Sequence, residues 1–269
     1  MKNTQRLLNG LIACGVTLAI VSTLAAQPAD QYAAKVVQMK GGARYKVGNN
    51  DWQPLKLGAV VRAGTVIQTA AKSRVDLLLG AEEAPPPISP TAAGAAAAAP
   101  STPLSSSSYQ PTSEQNIVRL WENTLMSVDK LTETHTGADV VTETQLDLKA
   151  GHITGSVKKM SAASKYEVKI PNGVAGIRGT VFDISAEGVI KILSGSAVLA
   201  YVGPNGSVVT QVINGLQQFD IRTGALSPLP PDGAKDLEVI SRGMSAGSGL
   251  APAPTPVSGN AALQYISPH

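Results

Sequence analysis

A chain of 269 residues is long enough for one all-β domain with tails or for two small domains. Aromatic residues are only 4% and charged residues 15%, so any core must be built from Val, Ile and Leu, which suits strands better than large helices. The 22 Lys and Arg against 19 Asp and Glu give a net charge of +3, a balance that excludes electrostatic steering toward nucleic acid or anionic membrane.

Residues 1–26 read as a secretory signal. Lys2 and Arg6 precede an apolar run over 11–24, and Leu24-Ala25-Ala26 offers small residues for cleavage. The rival reading is an uncleaved anchor, since 7–26 approaches the ~20 residues that cross a bilayer; membrane contact then runs through that segment alone. Asn9 and the small residues favour cleavage. Leu11-Ile12-Ala13-Cys14 resembles a lipoprotein box, but most of the apolar run follows Cys14, which argues against a lipid there. Cys14 is the only cysteine, so the exported chain is expected to be held by sheet packing without disulfides, in the periplasm or secreted.

Along the mature chain, alternating segments over 32–40 and 43–47 predict two strands, and Gly48-Asn49-Asn50-Asp51 predicts a turn before Trp52. Strands at 59–61, 65–69 and 74–79 complete a first part, 27–80. From 81 to 113 the chain is Pro, Ala and Ser without periodicity, including Pro85-Pro86-Pro87, and reads as a disordered insert. A surface insertion of this kind costs little closure entropy. Strands resume at 116–121, 125–131, 140–148 and 151–157 and continue to 221, making 114–226 the second part. The tail 227–269 is rich in Pro, Gly, Ser and Ala, with a short helix expected at 234–242. Ten or more short strands at this spacing predict an all-β antiparallel sandwich or roll.

The most ordered pattern lies at 165–199. Tyr166, Val168 and Ile170 alternate with Glu167 and Lys169 as a half-buried strand requires, and Pro171-Asn172-Gly173 ends it. Gly173, Gly176 and Gly179 recur at every third residue, so this stretch reads as a glycine turn with Arg178 at its tightest point, before a strand over 180–185. Strands over 189–193 and 197–202 follow.

The run Ile170-Pro171-Asn172-Gly173-Val174-Ala175-Gly176-Ile177-Arg178-Gly179-Thr180-Val181-Phe182 resembles the hallmark of the FecR-domain family, with Arg178-Gly179-Thr180 as its specific part. Trp52, Gly58, Gly64 and Thr69 ahead of Ser73-Arg74-Val75-Asp76-Leu77 add a weaker similarity. The resemblance implies an all-β domain: the periplasmic half of a regulator that hears an outer-membrane receptor and signals to a sigma factor. Two departures stand out. Family members continue directly past the strand near Leu77 where this chain has its insert, and only residues 1–6 precede the apolar run, so no cytoplasmic sigma-binding portion is expected.

Catalytic and ligand motifs are weak. Gly243-Met244-Ser245-Ala246-Gly247 has the G-x-S-x-G form, yet no acid follows Glu238 and the one later histidine is His269. The glycines at 173, 176 and 179 lack the Lys-Ser/Thr and the helix of a phosphate loop. For Arg178 two readings stand: bonding to backbone carbonyls or to a carboxylate such as Asp183, or contact with a partner. His135 and His152 are too isolated for zinc, and no cofactor is expected. Asp139, Glu143 and Asp147 read as solvated charges on a strand. Trp52 and Trp121 either anchor the sheet or stack on a sugar ring. The expected function is therefore non-enzymatic: an exported FecR-like domain binding an envelope protein, with a structural protein binding cell-wall glycan as the alternative. The expected partner-binding or motif residues are Arg178, Gly179, Thr180, Gly173, Gly176 and Trp52.

Overall fold

Alternation of apolar and polar residues, rather than long apolar runs, builds this chain. The computed structural model describes residues 33–81, 116–136, 139–203 and 205–246. The expected signal segment, all but the first residue of the 81–113 insert, and the tail beyond 246 lie outside the described residues. The first six strands are β1 (Ala33–Lys40), β2 (Ala43–Val47), β3 (Gln53–Pro54), β4 (Val60–Val61), β5 (Thr65–Thr69) and β6 (Arg74–Ala81). Next come β7 (Asn116–Leu120), β8 (Leu125–Thr136), β9 (Asp139–Ala150), β10 (His152–Ser156) and β11 (Lys165–Ile170). The last are β12 (Gly173–Ser185), β13 (Val189–Val202), β14 (Val208–Asn214), β15 (Gln217–Asp220) and β16 (Ala225–Pro228), followed by helix α1 (Pro231–Ala246).

These strands form one hydrogen-bonded sheet folded into two leaves. The first leaf runs β3-β2-β5-β8-β9-β11 and reaches the start of β12; the second runs β4-β1-β6-β7-β10 and reaches its end. The long β12–β13 hairpin belongs to both leaves. On its far side β14 extends the first leaf and β15 with β16 the second. All pairs are antiparallel except β9 with β11, so the expected antiparallel sandwich or roll is present as one curled sheet with a single parallel join. Tyr166 meets Phe182 edge-on with ring centroids 6.3 Å apart, and Tyr201 meets Phe219 at 5.3 Å, so the leaves touch through aromatic side chains. The rest of the core is Val, Ile, Leu and Ala with Met126, as the composition requires.

The chain crosses between leaves at corners that lie side by side. Gly42 N donates to Ser73 Oγ (2.9 Å), Thr124 N to Thr69 Oγ1 (2.9 Å), and Thr124 Oγ1 to the His152 carbonyl (3.1 Å). Each corner thereby supplies the partners that the neighbouring corner's buried backbone needs.

The expected glycine turn at 173–179 is corrected. The turn is Pro171-Asn172 alone, and Gly173–Ser185 is one strand. Ala175 and Ile177 face the core there, Gly173 shares their side, and Gly176 with Val174 and Arg178 takes the other. The small outward residues hide a strand rather than break it. Likewise 189–193 and 197–202 are one strand, and α1 is longer at both ends than the expected 234–242. Asp139, Glu143 and Asp147 lie on strand β9. Helix α1 covers the outer face of the second leaf, where Met244 and Ile240 pack on Leu78, Ile117 and Val37.

Candidate functional site

The Arg178-Gly179-Thr180 tripeptide sits where the shared hairpin passes from one leaf to the other. Buried positions on β12 are Ala175 and Ile177 before this point and Thr180, Phe182 and Ile184 after it, so the alternation changes phase. On β13 the phase changes too, from Ile190 and Ile192 to Ala197 and Leu199. The register records the cause: Arg178 pairs with Ser196 and Val181 with Ser194, setting Gly179 and Thr180 against Gly195 alone. This is a β-bulge, which bends a strand and lets one hairpin serve two sheets. Gly179 and Gly195 adopt φ of 56° and 82°, and a Cβ on Gly195 would collide with the Gly179 carbonyl.

Each motif residue then has a structural task. Thr180, 1% exposed, turns its backbone toward Val157, exchanging bonds of 2.9 and 3.0 Å. Its hydroxyl lies 2.9 Å from the carbonyls of both Arg178 and Ser196, tying the two strands together at the bulge. Arg178 is exposed and donates from Nη2 to the Ala162 carbonyl at 3.0 Å, tying the 157–164 loop over the bend. The backbone-carbonyl contact expected of Arg178 is made, while Asp183 bonds elsewhere. Gly173 is needed for close approach, because a Cβ there would lie 2.7 Å from the Ala200 carbonyl, whereas one on Gly176 would meet ordinary contact at 3.7 Å.

A second cluster, absent from the expected site residues, lies on the outer face of the second leaf. Register aligns Gln38, Asp76, Arg119 and Thr154 in one row across β1, β6, β7 and β10. The row continues through Asp183, Lys191, Gln218 and Ser227. Arg119 grips Asp76 through two bonds of 2.7 Å, with both side chains at most 5% exposed. Trp121 Nε1 donates to Thr154 Oγ1 (2.9 Å), which donates to Asp183 Oδ2 (2.8 Å). Lys191 Nζ stands 3.9 Å from Asp183 Oδ1. Beside this chain an open cleft of about 390 Å³ is lined by His152, Asp183, Ser185, Glu187, Val189 and Lys191, with Gly151 at one end. His152 stacks on Trp121 at 5.5 Å, and burial holds its imidazole below its usual range despite the Asp183 charge.

Neither tryptophan is fully buried or fully exposed. Trp121 is stacked as described. Trp52 carries the Arg44 guanidinium 4.6 Å and the Lys46 ammonium 5.3 Å from its ring centre, a cation–π clamp from β2. His135 pairs with Glu133 (2.8 Å), and no group of metal-ligating side chains occurs among the described residues. Ser245 lies in the last turn of α1 rather than at a strand-to-helix elbow. Among the described residues no helix is long and apolar enough to cross a membrane.

Residues 110–198 match the family described as FecR protein. The matched segment holds the Arg178–Thr180 bend and agrees with the resemblance carried by the run from Ile170 to Phe182; it does not include the 35–80 stretch, which nevertheless pairs into the same sheet. No curated protein matches the chain. Among solved structures, two crystal structures of a Parabacteroides distasonis protein, described provisionally as an anti-sigma factor, are similar at 13% identity and a TM-score of 0.31. The likeness covers 43% of this chain and 51% of that one, so the chain spans about half of that protein's length.

Proposed function

We propose that the chain is an exported, non-enzymatic regulatory domain that recognises a protein of the cell envelope. The observation that carries this reading is the FecR match over 110–198, together with what its hallmark residues do: they are spent on bending the shared hairpin, which leaves recognition to other surfaces. The cleft beside His152 is the surface we assign to the partner. It is open, and Asp183, Glu187 and Lys191 present both charge signs beside Val189, a mixture that suits a protein surface better than a small molecule seeking an apolar enclosure. A photo-crosslinker at Glu187, expressed at native level in cells, is expected to capture an envelope protein, while the same group at Val239 on α1 captures none. Capture of nothing at Glu187, or equal capture at both positions, sinks the reading.

Wall glycan is the second reading, favoured by Trp121, which stacks on the cleft residue His152 and bonds Thr154. One face of its ring is already covered by His152, and Arg44 with Lys46 lies over Trp52, which lowers the area either offers a sugar. Sedimentation of the full chain with purified peptidoglycan, lost in Trp121→Ala, would move the weight to that reading.

A further inference from the structure

The four strands that end the sheet are not guarded alike. β3 and β4 are two residues long, β3 contains Pro54, and β16 ends in Pro228. Brevity and proline are ordinary protections against pairing with another chain. β14 has neither: it is seven residues, Val208-Val209-Thr210-Gln211-Val212-Ile213-Asn214, without a charge or a proline, and its one neighbour is β13. Val208 is 74% exposed and Val212 47%, and on the same face of β13 Val202 and Val198 are 55% and 47% exposed.

The hydrogen bonds say which groups face the open edge. The Ser196 carbonyl is taken by Thr180 and Val202 N donates to the Asn172 carbonyl, so the even-numbered residues of this half of β13 point toward β12. Their register partners on β14 are Val208, Thr210, Val212 and Asn214, whose N–H and C=O groups therefore point away from β13. Two of these are met locally: Gln211 Nε2 donates to the Val212 carbonyl (2.7 Å) and Asn214 N donates to Gln217 Oε1 (2.8 Å). No described residue bonds the N–H and C=O of Val208 and Thr210.

We infer that β14 is the self-association strand of this protein and pairs antiparallel with β14 of a second copy about a two-fold axis through Thr210. That register places Thr210 opposite its own copy and Val208 opposite the partner's Val212, so that the N–H and C=O of Thr210 and Val208 find partners, the Gln211 side chain releasing the Val212 carbonyl. Threonine on threonine and valine on valine are favourable cross-strand neighbours. Antiparallel self-pairing about Thr210 sets the strand against its own sequence, so like charges near the axis would repel, and β14 carries none. An occupant must also continue apolar surface on both faces, since Val209 and buried Ile213 lie on the inner side and the valines on the outer. β14 itself meets that requirement. The stretch at 85–111 does not, because its prolines cannot supply ladder N–H groups and the proline-free runs between them, 91–99 and 104–110, are mostly Ala, Gly and Ser, without a valine or isoleucine. The inference is independent of the partner assigned to the His152 cleft.

The test is the mass of the full chain in solution by size-exclusion chromatography with light scattering. Wild type is expected to run as a dimer, and Thr210→Lys and Thr210→Glu each as a monomer with an unchanged far-ultraviolet spectrum. Mixing those two variants is expected to restore the dimer mass, because lysine then faces glutamate. In a Cys14→Ser background, Thr210→Cys is expected to give a disulfide-linked dimer under mild oxidation, since bonded antiparallel pairs bring Cα atoms to about 5.5 Å; Val239→Cys is the control that does not. A wild-type monomer or a Thr210→Lys dimer would each overturn the assignment.

Discussion

The two leaves share one hairpin and one core yet treat their outer faces differently. The second leaf closes its outer surface with α1 over Leu78 and Ile117, and with a polar row in which Arg119, Asp76, Thr154 and Asp183 satisfy one another. The first leaf leaves Val198, Val202, Val208 and Val212 in solvent and ends in an unguarded strand. Polar groups can be taken from water only when each finds a partner, and on the second leaf Arg119, Asp76, Thr154 and Asp183 do so. The first leaf avoids that requirement by staying exposed, so it should tolerate change where the second does not.

The largest effect is expected at the joint between them. Gly195→Ala adds a methyl against the Gly179 carbonyl at a positive φ, and is expected to destabilise by about 4 kcal/mol or more or to prevent folding; urea unfolding, or soluble yield, reads it. Arg119→Ala strands Asp76, 1% exposed, and is expected to cost about 3–5 kcal/mol in the same measurement. Met244→Ala opens the contact between α1 and the second leaf, for a loss of about 2 kcal/mol. The contrasting substitution, Val198→Ser on the first leaf, is expected to stay within about 0.5 kcal/mol of wild type. A loss there comparable with Met244→Ala would erase the distinction between the faces.

Two smaller effects sharpen it. Tyr166 buries a hydroxyl with no hydrogen-bond partner among the described residues, and burial pushes its pKa far above the ordinary phenol range. Tyr166→Phe removes that orphan while keeping the ring against Phe182, and is expected to raise stability by about 1 kcal/mol. His152 resists protonation in the folded protein, chiefly through burial, whereas in the unfolded chain it titrates near 6.5. As pH falls below about 6.5 the unfolded state binds the proton first, so stability declines until the folded imidazole titrates, and it is flat in this group above that pH. His152→Gln should remove that segment of the pH–stability curve; an unchanged curve would show that other groups set it.

Much of the fold is legible in the residues. The alternation of Tyr166, Val168 and Ile170, the Pro171-Asn172 turn and the strands on either side need only local chemistry, and all are present. The phase change from Ala175 and Ile177 to Phe182 and Ile184 is also written there, though spaced glycines made it resemble a turn. A bulge and a loop both demand glycine, and only pairing to β13 separates them. The polar row was not legible, because Gln38 and Ser227 are neighbours of a common ladder only through the register of every strand between them.

By itself, then, the sequence determined the strand content, the Val/Ile/Leu core and the FecR-like motif, because period-two burial and a residue run are properties of short segments. That the motif forms a bulge within one strand was decided by pairing to β13. Only the tertiary structure decided that Arg178 serves a backbone carbonyl, that Thr154 links Trp121 to Asp183, and that β14 ends a leaf unprotected. Those outcomes depend on which strand lies beside which, and that is settled by packing two leaves around one core.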